Sequence, residues 1–216
     1  MPLLLALLAM APRPTEIVFV RHAETVANAT GRYNTKTLNS FSQLGEKQVS
    51  KLTQRLKQMH FDAIVVSPSD RALKTLAPYL SQTRQTATIW PELYEVCHQV
   101  GVARRKPALP QVRFGSKIDP PSWLAPYYRL RNGGDRYIDA PTYNDGMRQV
   151  ALAYKLAMKD YSNSGKTILM VGHGLQGSRM LEMLEGKKPV GKVRVANTEI
   201  VRLRELPNGR FVPVKS

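Results

Sequence analysis

The sequence contains a single cysteine, Cys97, so the chain can form neither an internal disulfide bond nor a cysteine-based metal centre. Four histidines are present, and none has the short helical spacing typical of zinc-binding motifs: His22, His60, His98 and His173. The apolar run at residues 2–11 is far too short to cross a bilayer as a helix. These absences exclude a disulfide scaffold and argue against a zinc enzyme or a membrane-spanning protein.

The apolar run at the N-terminus allows two other interpretations. Ala9-Met10-Ala11 resembles the small-residue cleavage site of a signal peptide, but no lysine or arginine precedes the run, and Pro12 would follow the cut. Alternatively, Met10 is the true start of the chain. We interpret residues 1–14 as an N-terminal extension and expect a cytoplasmic protein, with export through a signal peptide as the alternative.

Composition indicates one strongly basic domain. The chain has 216 residues, of which 43% are hydrophobic, enough for one domain with a substantial core. The net charge is +16, and residues 101–136 and 186–216 each carry eight basic and two acidic side chains. Such a charge attracts anionic ligands. A solvated basic surface, or contact with nucleic acid or an anionic membrane, is the alternative account.

The central motif follows the first predicted strand. Residues 17–20, Ile-Val-Phe-Val, form an apolar and mostly β-branched run that predicts a buried strand. Arg21 and His22 come directly after it. In open α/β sheets, ligands bind at the carboxyl ends of parallel strands. Arginine suits phosphate, and histidine can act as a nucleophile, an acid or a base.

Two further predicted strands end in the same way. Residues 61–66 lead through Ser67 to Arg71, which stands where the next helix is predicted to begin. Residues 167–171 lead to His173, again between a strand and a helix. Because helix N-termini favour anions, both positions suit phosphate. All three strand ends can therefore converge at one edge of a parallel sheet.

The connecting segments carry weaker signals. Residues 26–40 are rich in Asn, Thr and Gly and indicate a loop, after which Ser42 is predicted to cap a helix. Strand segments are predicted at 193–195, 199–203 and 211–212. Gly172-x-Gly174-x-x-Gly177 matches the dinucleotide-binding fingerprint, but it begins too near the C-terminus for a complete dinucleotide-binding half.

Four sequence elements together resemble the histidine phosphatase superfamily, in its phosphoglycerate-mutase-like branch 1. They are Arg-His-Ala-Glu-Thr at 21–25, Ser-x-x-x-Arg-Ala-x-x-Thr at 67–75, Leu-x-Glu at 93–95 and Gly-His-Gly at 172–174. The resemblance implies an α/β three-layer sandwich with a mostly parallel central sheet and helices on both faces. It covers roughly residues 15–205. We expect residues 15–216 to form one phosphatase domain, with an irregular, proline-rich basic insert at about 97–136 lying over the site.

The resemblance also implies a role for each matched residue. His22 would be the nucleophile that becomes phosphohistidine, and Glu95 would be the proton donor, with Glu92 as the competing choice. Phosphate would be bound by Arg21, Arg71 and His173, and also by Asn28 in the loop after the first motif. No metal and no other cofactor would be needed.

These roles together predict a metal-independent phosphatase that acts on a small, anionic phosphomonoester. One alternative is a phosphoglycerate mutase, but Ala23 and the pair Ala27-Asn28 depart from the Gly and Trp-Asn typical of that form. The other alternative is a non-catalytic module that only binds an anion. The filled catalytic positions argue against it.

Overall fold

The computed structural model describes residues 13–98 and 113–214. Within these ranges seven strands form one sheet: β1 (Glu16–Arg21), β2 (Ala63–Val66), β3 (Ala87–Ile89), β4 (Tyr128–Leu130), β5 (Thr167–Gly172), β6 (Ile200–Glu205) and β7 (Phe211–Pro213). The same ranges contain six α-helices: α1 (Val26–Thr30), α2 (Thr35–Asn39), α3 (Gln43–Lys57), α4 (Asp70–Thr83), α5 (Tyr143–Tyr161) and α6 (Gly174–Leu184). None of the helices described is long and apolar enough to cross a membrane.

The sheet has the strand order β4–β3–β2–β5–β1–β6–β7. All pairs from β4 to β1 are parallel, and β6 runs antiparallel to both of its neighbours. Arg21 at the end of β1 is in register with Gly172, and Val66 at the end of β2 is in register with Val171. The predicted mostly parallel sheet is confirmed, and the carboxyl ends of β1, β2 and β5 meet at one edge.

Alternating side chains of the central strands divide the core into two layers. Val18 and Val20 of β1 point to one face, and Ile17 and Phe19 point to the other. The first face is covered by leucines of α3 and α4, including Leu52, Leu56, Leu73 and Leu76. The second is covered by side chains of α5 and α6, including Val150, Ala153, Met180 and Leu181. The predicted three-layer arrangement is confirmed.

The interpretation of residues 26–40 as a loop is wrong, because α1 and α2 lie there. Thr25 and Asn34 accept hydrogen bonds at the N-termini of these helices, and the third helical residue of each bonds back to the cap. The Asn and Thr residues that suggested a loop are therefore helix caps. Ser42 does cap α3, as predicted, by accepting a hydrogen bond from Gly45 N.

The strand predicted at 193–195 is also wrong, since the described strand nearest to it begins at Ile200. Backbone groups of this segment bond to side chains instead of a neighbouring strand. Val193 N donates to the Glu182 carboxylate, and Val195 O accepts from Arg21. The predicted hairpin near the C-terminus is present as the antiparallel pair β6 and β7.

Part of the predicted basic insert belongs to the sheet. β4 pairs with β3, and the hydroxyl of buried Tyr128 donates to Leu73 O at 2.5 Å. Residues 99–112 of the predicted insert lie outside the described residues. They include the charged run Arg104-Arg105-Lys106. Their position over the site stays a prediction, as does the interpretation of residues 1–12, which also lie outside.

We expect Gly177→Ala to destabilise the fold, although alanine normally favours a helix by about 1 kcal/mol over glycine. A Cβ at Gly177 would lie 2.1 Å from Cζ of Phe19, a buried ring with no room to withdraw. The expected loss in unfolding free energy is about 1–3 kcal/mol, measured by urea denaturation. Phe19→Leu supplies the control: in the double variant the two losses should be less than additive. Stabilisation by Gly177→Ala alone would contradict this packing.

Candidate active site

Three strand ends bring His22, Arg71 and His173 into direct contact. Arg71 Nε lies 3.3 Å from His22 Nε2, and Arg71 Nη2 lies 3.1 Å from His173 Nδ1. The two imidazole rings are 5.2 Å apart between centroids. All three side chains are buried, so one guanidinium connects two histidines away from bulk water.

Hydrogen bonds define the tautomer of His22. Its Nδ1 lies 2.8 Å from the carbonyl oxygen of Ala23, which can only accept, so Nδ1 carries the proton. Nε2 is then unprotonated, and its lone pair accepts a hydrogen bond from Arg71 Nε. Burial, reinforced by the charges of Arg71 and Arg21, holds the pKa of His22 well below 6.5, although the bond to Ala23 acts in the opposite direction. His22 is therefore neutral, with its lone pair on Nε2.

His173 is held behind Arg71 by hydroxyl groups. Its Nδ1 accepts from Arg71, so Nε2 donates to Ser67 Oγ at 2.7 Å, with Ser69 Oγ at 3.2 Å. Burial, together with the charge of Arg71, holds the pKa of His173 well below 6.5. Contact of His173 with a ligand would be made after Arg71 moves, because His173 does not line the cavity in front of Arg71.

Arg21 contributes the second cation of the site. Its Nη1 donates to Val195 O at 3.1 Å, which directs the guanidinium across the end of β1. Its Nε is buried and has no hydrogen-bond partner among the described residues. A buried donor without a partner is costly, so this N–H is suited to an oxygen atom of a ligand.

Of the two candidate acids, the structure brings only Glu95 to the cavity. The Glu95 carboxylate accepts from Gln176 N at 2.9 Å, at the N-terminus of α6, and lines the cavity with His22. Glu92 is buried elsewhere, where its Oε1 forms an ion pair with Arg131 at 2.6 Å. The geometry thus favours Glu95 over Glu92 as the residue able to reach a bound ligand.

Asn28 also lines the cavity, but part of its side chain has a local role. Its Oδ1 accepts from Thr25 N at 3.2 Å, which completes the capping box of α1. Asn197 Nδ2 approaches the same oxygen at 3.5 Å. Asn28 is therefore near the predicted site, with its amide oxygen engaged in the protein.

Several positioning contacts were not predicted from the sequence. Asn197 Nδ2 donates to His22 O at 2.8 Å, and Thr198 N donates to Arg21 O at 3.0 Å. Thr75 Oγ1 accepts from Ala23 N at 3.0 Å. These bonds fix the backbone around His22. No local sequence pattern at Asn197 or Thr198 signals these contacts with residues 21 and 22.

A buried carboxylate organises one wall of the cavity. Glu182 accepts from the backbone N–H groups of Gly191, Lys192 and Val193, at 2.7 Å for Gly191 and 3.1 Å for Val193. This holds residues 191–195 against α6 and places Val195 O where Arg21 can reach it. Glu182 thus orients Arg21 through the backbone of this segment.

The cavity has a volume of about 550 Å³. Its described lining combines charged and apolar side chains: Arg21, His22, Thr25, Asn28, Tyr33, Leu38, Arg71, Glu95, His98, Leu175, Ser178, Val193, Arg194 and Val195. Within the described ranges, no group of three or more His, Cys, Asp or Glu side chains is arranged to hold a metal ion. The arrangement instead suits an anion, because both arginines face His22 across a site with one carboxylate.

The two neutral histidines predict loss of stability in acid. Their folded pKa values lie below the ordinary 6.5, so the unfolded chain binds protons first as the pH falls. Their contribution is complete above about pH 6.5 and is lost progressively below it, by up to about 1.4 kcal/mol per pH unit for each histidine. Urea denaturation between pH 7 and 5 should show this slope, and His173→Asn should reduce it by about half. An unchanged slope in that variant would contradict the assignment.

Comparison with known proteins agrees with the fold and the motifs. The model of the histidine phosphatase superfamily (branch 1) matches residues 17–113, which include His22, Arg71 and Glu95. A metal-independent phosphoserine phosphatase from Arabidopsis thaliana is 25% identical over 205 residues. The match covers 88% of this chain and 77% of the relative.

Solved structures share the architecture at lower identity. Phosphoserine phosphatase from Entamoeba histolytica, in complex with 3-phosphoglyceric acid, superposes with a TM-score of 0.60 at 20% identity, covering 93% of this chain and 95% of the other. The α-ribazole phosphatase of Shigella flexneri gives a TM-score of 0.60 at 18% identity, covering 92% and 94%. The four motifs, the fold and the family model agree with one another, so this chain is similar to the enzymes of the histidine phosphatase superfamily, branch 1.

Proposed function

We propose that this enzyme is a phosphatase that hydrolyses phosphomonoesters through a phosphohistidine intermediate on His22, without a metal ion. The observation that carries the proposal is the state of His22. It is buried, neutral and protonated on Nδ1, so Nε2 carries a lone pair at the cavity beside two arginines. A neutral imidazole with this lone pair is able to attack phosphorus.

In the first step, the substrate phosphate enters between Arg71 and His22. It breaks the hydrogen bond that Arg71 Nε donates to His22 Nε2. Arg71 and Arg21 then bind the non-bridging oxygens, the unpartnered Nε–H of Arg21 among the donors. His22 Nε2 forms a bond to phosphorus as the bond to the ester oxygen breaks. The two guanidinium groups then stabilise negative charge on the phosphoryl oxygens in a loose transition state.

Glu95 serves both steps as the proton carrier. Protonated Glu95 donates its proton to the departing alkoxide, and the resulting carboxylate then removes a proton from a water molecule. That water attacks phosphorus, the N–P bond breaks, and inorganic phosphate and neutral His22 are released. His173 supports the reaction from behind, by binding Arg71 and contacting phosphate once Arg71 has shifted. Asn28 is the remaining candidate phosphate contact, through its amide nitrogen.

The negative charge of the phosphoryl group that is transferred is balanced by protein side chains. Arg21 and Arg71 supply two cations at the cavity, the function that divalent ions serve in many phosphatases. The curated relative from Arabidopsis thaliana is described as metal-independent, which supports the same mechanism for this chain. Activity is therefore expected to persist in excess EDTA.

We expect His22→Ala to lower the hydrolysis of p-nitrophenyl phosphate by about three orders of magnitude or more, because it removes the imidazole lone pair that lies beside the arginines. The acid-labile phosphoenzyme detected by rapid quench with labelled substrate should also disappear. His60→Ala is the matched control, since His60 is exposed and remote from the cavity, and it should retain full activity. Full activity in His22→Ala would refute the nucleophile assignment.

Glu95→Gln should separate the two steps. The p-nitrophenolate group leaves without protonation, so phosphorylation of His22 should continue while water activation fails. Phosphoenzyme should therefore accumulate after rapid quench, with steady-state turnover reduced about a hundredfold or more. Glu92→Gln tests the competing acid: accumulation in that variant and not in Glu95→Gln would transfer the role to Glu92.

A local contribution of the basic C-terminal region can be tested at Arg194. This exposed side chain lines the cavity, whereas Lys192 is equally exposed on the same segment and does not. Arg194→Ser should raise KM for p-nitrophenyl phosphate roughly two- to fivefold at low salt, the effect expected for one exposed charge, and the difference should shrink as salt screens it. Lys192→Ser removes the same charge and should change KM less. Equal increases in KM in the two variants would show that the net positive charge of the region matters and that the position of Arg194 at the cavity does not.

A further inference from the structure

The cavity that contains His22 also has an apolar part to its lining. Five apolar side chains line it: Tyr33, Leu38, Leu175, Val193 and Val195. They come from three separate segments, namely the region of α2, the first turn of α6 and the segment held by Glu182. We call these five residues the apolar wall. It faces the same cavity as Arg21, His22 and Arg71, so a molecule bound by its phosphate there extends along the wall.

The wall includes large apolar side chains that are exposed to water. Tyr33 is 56% exposed and Leu175 is 40% exposed, although both belong to a cavity with a catalytic histidine at its end. Exposed apolar surface concentrated in a concave site is typical of a ligand-binding surface. A ligand with matching apolar area would displace water from these exposed side chains favourably.

The size of the cavity points in the same direction. A volume of about 550 Å³ falls within the range of about 300–1,000 Å³ typical of sites for drug-sized ligands. A phosphorylated three-carbon acid would occupy the charged end and leave most of the apolar wall in contact with water. An aromatic ring joined to the phosphate by a short linker would instead cover part of the apolar wall.

We propose that the substrate is a phosphomonoester whose alcohol carries an apolar group of the size of an aromatic ring, and that Tyr33 and Leu175 determine this specificity. The inference rests on the proposed phosphatase function, and it adds the chemical class of the leaving group. Tyr33 can stack on a flat ring at the mouth of the cavity. Leu175 offers its side chain next to the two backbone N–H groups that hold Glu95.

The test compares three esters with primary alkoxide leaving groups: 2-phenylethyl phosphate, propyl phosphate and phosphoserine. Similar leaving groups ensure that differences in kcat/KM report binding of the remainder. Burying a ring on the wall should make kcat/KM for 2-phenylethyl phosphate at least about tenfold greater than for either other ester. Equal values, or a preference for phosphoserine, would overturn the proposal.

Variants connect the preference to the wall. Tyr33→Ser and Leu175→Ser should each lower the ratio of kcat/KM between 2-phenylethyl and propyl phosphate by about threefold or more. Leu152→Ser is the matched control, because Leu152 is a similarly exposed helical leucine away from the cavity, and its ratio should equal that of the wild type. An unchanged ratio in both wall variants would refute the role of these residues.

A binding measurement separates this inference from the proposed function. Calorimetry with 2-phenylethylphosphonate and propylphosphonate, which cannot be hydrolysed, measures the contribution of the ring without turnover. If none of the esters is hydrolysed, the phosphatase proposal fails, and the calorimetry still decides the inference. Tighter binding of the phenyl compound by about tenfold, lost in Leu175→Ser, would support the apolar wall, and equal affinity would overturn it.

Discussion

The site depends on one buried cation. Arg71 is almost fully enclosed, and it donates to a nitrogen lone pair of His22 and to one of His173. Burial lowers the pKa of Arg71 from its ordinary value, and the charge of Glu95 is the largest influence in the opposite direction. Burial, reinforced by the charge of Arg71, holds the pKa of both histidines well below 6.5, so both are neutral. The guanidinium thus helps to keep His22 neutral and places a positive charge at the cavity.

Much of this arrangement could be predicted from short stretches of sequence, for a physical reason. A buried parallel strand is a continuous apolar run, and the polar residue after it lies at the sheet edge where ligands bind. Arg21, His22, Arg71 and His173 all follow such runs or the turns after them. Glu95 lies in an irregular segment, so only the family motif identified it, and Glu92 remained in competition until its ion pair with Arg131 was seen. The chemical roles of these residues remain proposals.

Other parts of the site could not be predicted, because they depend on contacts between distant segments. Glu182 lies on α6 in a stretch that reads as an ordinary helix, yet its carboxylate replaces a neighbouring strand for residues 191–193. Asn197 reaches across the sheet edge to the carbonyl of His22. Gly45 offers a third case. A Cβ there would lie 2.0 Å from the carbonyl oxygen of Glu24, so the glycine allows α3 to approach the segment that follows β1.

The central place of β1 has a consequence for how the enzyme becomes active. β1, which ends directly before His22, comes first along the described chain. Its partners are β5 and β6, from residues 167–172 and 200–205. Loop closure over such separations is slow compared with local helix formation. During synthesis, Arg21, His22 and Arg71 would have left the ribosome well before the segment that contains Asn197 and β6. Assembly of a working enzyme is therefore a late event in the life of the nascent chain, and an apolar first strand without partners must be protected from aggregation until then.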